Sequence, residues 1–206
     1  MHTLRRHPLA LAAAVVVALY AAPAAAAVNV YTANLDAFGE NVESDGVGLA
    51  IVTLNSASFS MRVQTAFFGL TSPVTVAHIH CCTAVPLTGN AGVATAVPTF
   101  PDFPAGGTQG FYDKTFDMLA ATSWNPSFVT NNGGSFQSAF AALKSGLDDG
   151  RAYLNIHTQQ YMPGEIRGYL LNPIPEPGTY ALMAAGLVGI GAWVRRRRAA
   201  QAASTA

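Results

Sequence analysis

The chain has 206 residues, half of them hydrophobic and 11% charged, with no net formal charge, a length that suits one domain once any address segments are removed. That neutrality hides an uneven distribution. Six of the eleven basic residues are Arg5, Arg6 and Arg195–Arg198, so residues 28–172 hold ten acidic residues against five basic ones. A domain with that excess of negative charge repels phosphate, which argues against nucleic acid as a partner and leaves divalent cations or basic surfaces as easier ones.

Residues 1–27 read as an export signal. His2, Arg5, Arg6 and His7 make a basic start, Leu9–Tyr20 is apolar, and Ala25, Ala26 and Ala27 offer small residues to a signal peptidase. Export places the only two cysteines of the chain, Cys81 and Cys82, in an oxidising compartment.

The next stretch reads as strands. In Val28–Phe38, Tyr31, Ala33, Leu35 and Ala37 share one parity and Val28, Val30, Thr32 and Asn34 the other. A polar turn covers Gly39–Gly48. Gly48–Leu54 and Ser58–Phe68 predict a hairpin joined by Asn55, Ser56 and Ala57. After a turn at Gly69–Pro73 comes Val74–Cys82, a strand on which His78 and His80 point the same way, with Ile79 opposite.

Pro86–Pro104 is rich in Gly, Pro, Thr and Ala and has room for one short strand, Gly92–Val97. The spacing of Phe100, Phe103 and Phe111 predicts a loop held down by aromatic anchors. Phe111–Leu119 is a further strand. In Ser135–Leu147, Phe136, Phe140, Leu143 and Leu147 recur at helical spacing after a capping Ser135. Arg151–His157 and Glu165–Leu171 are the closing strands, with a turn at Met162–Gly164. Scarce charge, many strands and one inserted helix predict an all-β, Greek-key sandwich or barrel over 28–172.

The tail, 173–206, is a second address segment. Pro173–Gly178 is a stiff Pro-rich linker. Thr179–Val194 is almost wholly apolar and, with its flank, near the roughly 17–25 residues a transmembrane helix needs. Arg195, Arg196, Arg197 and Arg198 would hold its end on the cytoplasmic side. The order Pro175-Glu176-Pro177, apolar helix, arginine cluster resembles the PEP-CTERM sorting signal of Gram-negative bacteria. That resemblance implies anchoring in the inner membrane before processing, cleavage near Pro-Glu-Pro by an exosortase, and delivery to the cell surface or an exopolysaccharide matrix, with surface proteins as further candidate partners.

The middle domain has a resemblance of its own. Val76–His80 (Val-Ala-His-Ile-His), Tyr153–Thr158 (Tyr-Leu-Asn-Ile-His-Thr) and Pro163–Gly168 (Pro-Gly-Glu-Ile-Arg-Gly) resemble the CHRD domain, named from the animal protein chordin, and Phe103–Thr108 and Gly150 fit it too. Cys81-Cys82 departs from it, since the family more often has Gly and a small residue there. The resemblance implies a non-enzymatic binding or structural module of the envelope or matrix.

A narrower likeness is to copper–zinc superoxide dismutase, where a His-x-His pair and a late His bind copper and a late Arg guides the anion. It would make His78, His80 and His157 ligands and Arg167 the anion guide. No histidine lies between His80 and His157, so the bridging histidine and the zinc subsite have no counterpart.

Imidazole suits copper, zinc, iron and nickel. His157 shares its face with Tyr153 and Asn155, so two readings stand side by side. One is a mononuclear copper or zinc site with three His ligands and redox potential. The other is a hydrogen-bonded network of His78, His80, His157, Glu165 and Arg167 that locks sheet register. Glu165 would serve as an acceptor for an imidazole N–H or as the ion-pair partner of Arg167. Cys81 and Cys82 would form a vicinal disulfide, remain thiols or, through Cys82 on the histidine face, stand beside the ligands. No Gly-x-Ser-x-Gly elbow and no phosphate-binding Gly-rich loop is present, so no enzymatic chemistry is legible.

Overall fold

The computed structural model describes residues 28–173, 185–190, 193 and 196. The export segment, Pro175–Pro177, Arg195, Arg197 and Arg198 lie outside the described residues. Residues 185–190 and Arg196 are helical, and no helix among the described residues is long and apolar enough to cross a membrane.

Seven strands among the described residues form one curled antiparallel sheet: β1 (Val28–Asp36), β2 (Val47–Asn55), β3 (Ser60–Phe68), β4 (Val74–Cys81), β5 (Gly110–Asp117), β6 (Ala152–Thr158) and β7 (Ile166–Tyr169). Their order is β4-β6-β7-β1-β2-β3-β5. The domain is mostly β as expected, and of the sandwich or barrel foreseen it comes nearer the barrel, with a single antiparallel sheet curled into a half-barrel. Tyr31, Leu35, Val52, Leu54, Val63, Phe67, Ile79, Leu154 and Ile156 all belong to one buried cluster. Twist curls the sheet, and loop and helix side chains such as Phe100, Trp124, Phe140 and Leu143 complete the cover of its inner face.

Alternation drew the strands correctly. In β1, Tyr31, Ala33 and Leu35 are buried, and in β5 Tyr112 and Phe116 turn inward. The same alternation corrects one expectation. Phe111 is not an anchor: it is 70% exposed on the outer face of β5, whereas Phe100 and Phe103 are buried and do hold the loop. No strand forms over Gly92–Val97. Isolated bridges join His80 to Val93 and Thr95 to Trp124 instead.

That loop covers the edge of β4. Ala77 donates its N–H to Thr99 Oγ1 and Ile79 to Thr95 Oγ1. Phe100 N–H donates to Ala77 O, Ala94 N–H to Ile79 O and Cys81 N–H to Gly92 O. An unpaired strand edge is a template for aggregation, and side-chain hydroxyls and loop backbone here satisfy it.

Two helices pack over the sheet. One of them, α1 (Pro126–Asn131), is not among the expected elements, although Asn125 caps the Ser127 N–H and Pro126 sits in the first turn, a helix-start signal carried by the sequence. Helix α2 (Phe136–Asp148) follows a Ser135–Ser138 capping box and buries Ala139, Phe140, Leu143, Gly146 and Leu147. Tyr31 donates from its hydroxyl to Asp148 Oδ1 at 2.6 Å, and burial, helped by that carboxylate, pushes the hydroxyl far above the usual tyrosine range.

Cys81 and Cys82 are joined in a vicinal disulfide, which packs on α2 at Gly146. A Cβ at Gly146 would overlap both sulfurs. Alanine should gain up to about 1 kcal/mol of helix propensity there, against roughly 1–3 kcal/mol for overpacking. Gly146→Ala is therefore expected to lower stability to urea, while Gly92→Ala, with open space around it, stays within about 0.5 kcal/mol of the parent. A stabilised Gly146→Ala would show that helix and disulfide do not meet closely.

Candidate functional site

The pairing of β4 with β6 builds the site. Its register sets Val76 opposite His157, His78 opposite Asn155 and His80 opposite Tyr153. Because the side-chain period of a strand is two, this brings His78, His80 and His157 to one face and sends Ala77, Ile79, Leu154 and Ile156 to the core. The ring centroids stand 5.5 Å apart for His78–His80, 5.0 Å for His78–His157 and 5.7 Å for His80–His157. One ring nitrogen from each lies within 4.8 Å of the others. All three side chains are buried, at 6%, 9% and 7% exposure.

The tautomers follow from the outer hydrogen bonds. His78 Nε2 bonds Pro98 O at 2.6 Å, His80 Nδ1 bonds Ala91 O at 2.9 Å and His157 Nδ1 bonds Met162 O at 2.8 Å. A carbonyl only accepts, so each of these nitrogens is the N–H donor, and the other nitrogen of each neutral ring carries a lone pair. Those other nitrogens, His78 Nδ1, His80 Nε2 and His157 Nε2, are buried and have no hydrogen-bond partner. Three lone pairs therefore face one another.

The surroundings are specific. Tyr153 stacks on His80 with ring centroids 4.9 Å apart and a 2° angle, and its hydroxyl accepts the N–H of Ala91. Arg167 lies over the Tyr153 ring, 4.8 Å from its centre. Its Nη1 is 3.4 Å from Glu40 Oε1 and donates to Asn90 Oδ1 at 2.7 Å. Asn155 donates to Glu40 Oε1 and to Pro163 O.

Three expectations are corrected here. Glu165 bonds neither a histidine nor Arg167: it is fully buried and accepts from Ser44 at 2.6 Å, Thr158 at 2.6 Å and the N–H of Thr71 at 2.5 Å. Burial pushes its carboxyl up, but those hydrogen bonds outweigh it and hold it below the ordinary range. It lies one residue before β7 starts at Ile166, so strand alternation does not apply to it. Of the states expected for the cysteines, Cys82 takes the vicinal disulfide with Cys81 and sits against Ala142 beyond the end of β4, not beside the histidines. Arg167 is engaged by Glu40, Asn90 and Tyr153 with its side chain only 10% exposed, which does not fit an open anion guide.

Glu40, Tyr153 and the carbonyls of Ala91, Pro98 and Met162 went unassigned in the sequence. Carbonyls carry no sequence signal. Tyr153 did: it shares the polar parity of His157.

A family model for the CHRD domain matches residues 13–170, and one for the PEP-CTERM protein-sorting motif matches residues 173–198. Comparison with curated proteins and with solved structures returns no match. The sorting motif implies export, processing by an exosortase-type enzyme and a surface or extracellular destination in a Gram-negative bacterium.

Burial lowers the pKa of all three histidines, with His78 and His80 brought to about 4. The unfolded chain takes up these protons near the ordinary value of about 6.5, so between there and about 4 it binds more protons than the folded protein does. Stability from this site is complete above pH 6.5 and is lost as pH falls through that window, by about 2 kcal/mol for each of His78 and His80 at pH 5. Urea midpoints of chelator-treated protein from pH 7.5 to 5 are expected to fall accordingly. A flat profile would mean that the rings already bear protons or lie open to water.

Proposed function

As the chain belongs to the CHRD domain family and carries a PEP-CTERM protein-sorting motif, we propose that it is an exported, non-enzymatic binding module that holds one transition-metal ion between His78, His80 and His157. The observation that carries this reading is the set of three buried, unpartnered ring nitrogens facing one another. A buried acceptor left unsatisfied costs about 1–3 kcal/mol. A network that only locked the sheet would spend those nitrogens on one another or on Glu165, but three lone pairs have no proton to share. One water donates two hydrogens and leaves the third unmet. A cation accepts from all three.

The outer bonds support the same reading. Each ring gives its N–H to a backbone carbonyl, the arrangement that orients a ligating imidazole and raises its basicity. Donors on one ion stand about 2.0–2.1 Å from it, so a bound ion would draw the rings inward by less than about 1 Å each. The donor type fits copper or zinc. In this reading a signal peptidase removes 1–27, the inner membrane holds the tail until an exosortase-type enzyme cuts near Pro175, Glu176 and Pro177, and the domain reaches the surface or an exopolysaccharide matrix.

The test is the metal content of the exported protein, purified without chelator or affinity-tag metal. Close to one equivalent of copper or zinc is expected, lost in the His78→Ala/His157→Ala double variant. Absence of metal from the parent, even after reconstitution, would leave the histidines structural and turn attention to matrix binding.

A further inference from the structure

Resting on that metal reading, we infer that the ion this site is built to hold is monovalent copper rather than zinc or divalent copper. Imidazole by itself does not choose among them. Donor number and charge do.

Three nitrogens converge, and among the described residues the nearby carboxylates, cysteine and tyrosine are engaged elsewhere; the one oxygen near them left without a hydrogen-bond partner is Asn155 Oδ1, a neutral amide beside Gly164 that brings no charge to an ion. Glu165 is tied to Ser44, Thr71 and Thr158. Cys82 is spent in the disulfide. Glu40 is shared by Arg167 and Asn155. The Tyr153 hydroxyl accepts from the loop at Ala91, and the Met162 side chain is 77% exposed. The three donor atoms are themselves shut off from solvent. Zinc in a closed site takes four protein ligands, and divalent copper prefers a tetragonal set. Monovalent copper is a soft, filled-shell ion that is satisfied by three nitrogens.

Charge points the same way. The donors are neutral rings, and the charged pair beside them, Arg167 with Glu40, is already compensated. An entering ion keeps its whole charge in a buried place. The solvation cost grows with the square of the charge, so a divalent ion carries roughly four times the penalty of a monovalent one. A carboxylate ligand or a bound hydroxide would offset that penalty, but among the described residues no carboxylate joins the three nitrogens.

The experiment titrates the exported protein, expressed from its full chain, with monovalent copper under anaerobic ascorbate against a bicinchoninate competitor. Zinc and divalent copper are titrated in parallel against their own competitors. One equivalent of monovalent copper is expected, bound at least roughly 100-fold more tightly than either divalent ion. X-ray absorption of the loaded protein should show three imidazole nitrogens and no oxygen. Zinc or divalent copper bound as tightly through the same histidines, or a fourth oxygen ligand on the copper, overturns the inference and leaves the metal site standing. No binding of any of the three ions overturns the metal reading itself.

Discussion

The antiparallel register of β4 on β6 is the constraint on which the rest of the site depends. With His78 facing Asn155 and His80 facing Tyr153, three imidazoles from two strands meet on one face while Ile79, Leu154 and Ile156 lock the other into the core. A slip by one residue would exchange the faces, setting imidazoles in the aliphatic core and Ile79, Leu154 and Ile156 against the polar carbonyls and rings of the other side. The hydrophobic face thus stabilises the register that the polar face uses. Two histidines on one strand are rigidly spaced, and the third is placed by strand pairing rather than by chain proximity.

Register alone would leave the rings free to turn. The loop between β4 and β5 removes that freedom. It runs along the β4 edge, which pairs with no further strand among the described residues, and in doing so it delivers the carbonyls of Ala91 and Pro98 to His80 and His78. The Met162 carbonyl does the same for His157 from the turn before β7. Edge protection and tautomer selection are therefore achieved by overlapping stretches of backbone. Phe100 and Phe103, stacked among Phe67, Tyr112 and Phe116, anchor the loop from the core side.

Glu165 and Arg167 show how a carboxylate and a guanidinium near a candidate ligand set can be spent on structure. Glu165 ties the turn before β7 to Ser44, Thr71 and Thr158, three separate parts of the chain. Arg167 braces the Tyr153 ring that stacks on His80 and takes its countercharge from Glu40. Period-two alternation from Glu165 would set it and Arg167 on one face beside His157. It failed for Glu165 because the strand has not yet begun there, and for Cys82 because β4 has already ended. Alternation is a property of paired strand residues, and it says nothing about the residue just outside them.

Local pattern determined much of this protein. Period-two alternation placed the strands, the shared parity of Tyr31 and Leu35, and the common face of His78, His80 and His157, whereas the aromatic spacing that made Phe111 an anchor was overruled by its place on the outer face of β5. Ser135 and helical spacing placed α2, and the Pro-Glu-Pro, apolar, arginine order marked the C-terminal sorting segment. These follow from sequence because each depends on neighbours a few residues away. Tertiary structure alone decided that one sheet curls into a half-barrel whose core α1, α2 and the β4–β5 loop help to cover. It also decided that Glu40 and not Glu165 meets Arg167, and that backbone carbonyls 5 to 20 residues distant in the chain set the histidine tautomers. A carbonyl belongs to every residue alike, and sheet order is set by which distant strands bury the most apolar surface together, so neither leaves a mark that a local reading of the chain detects.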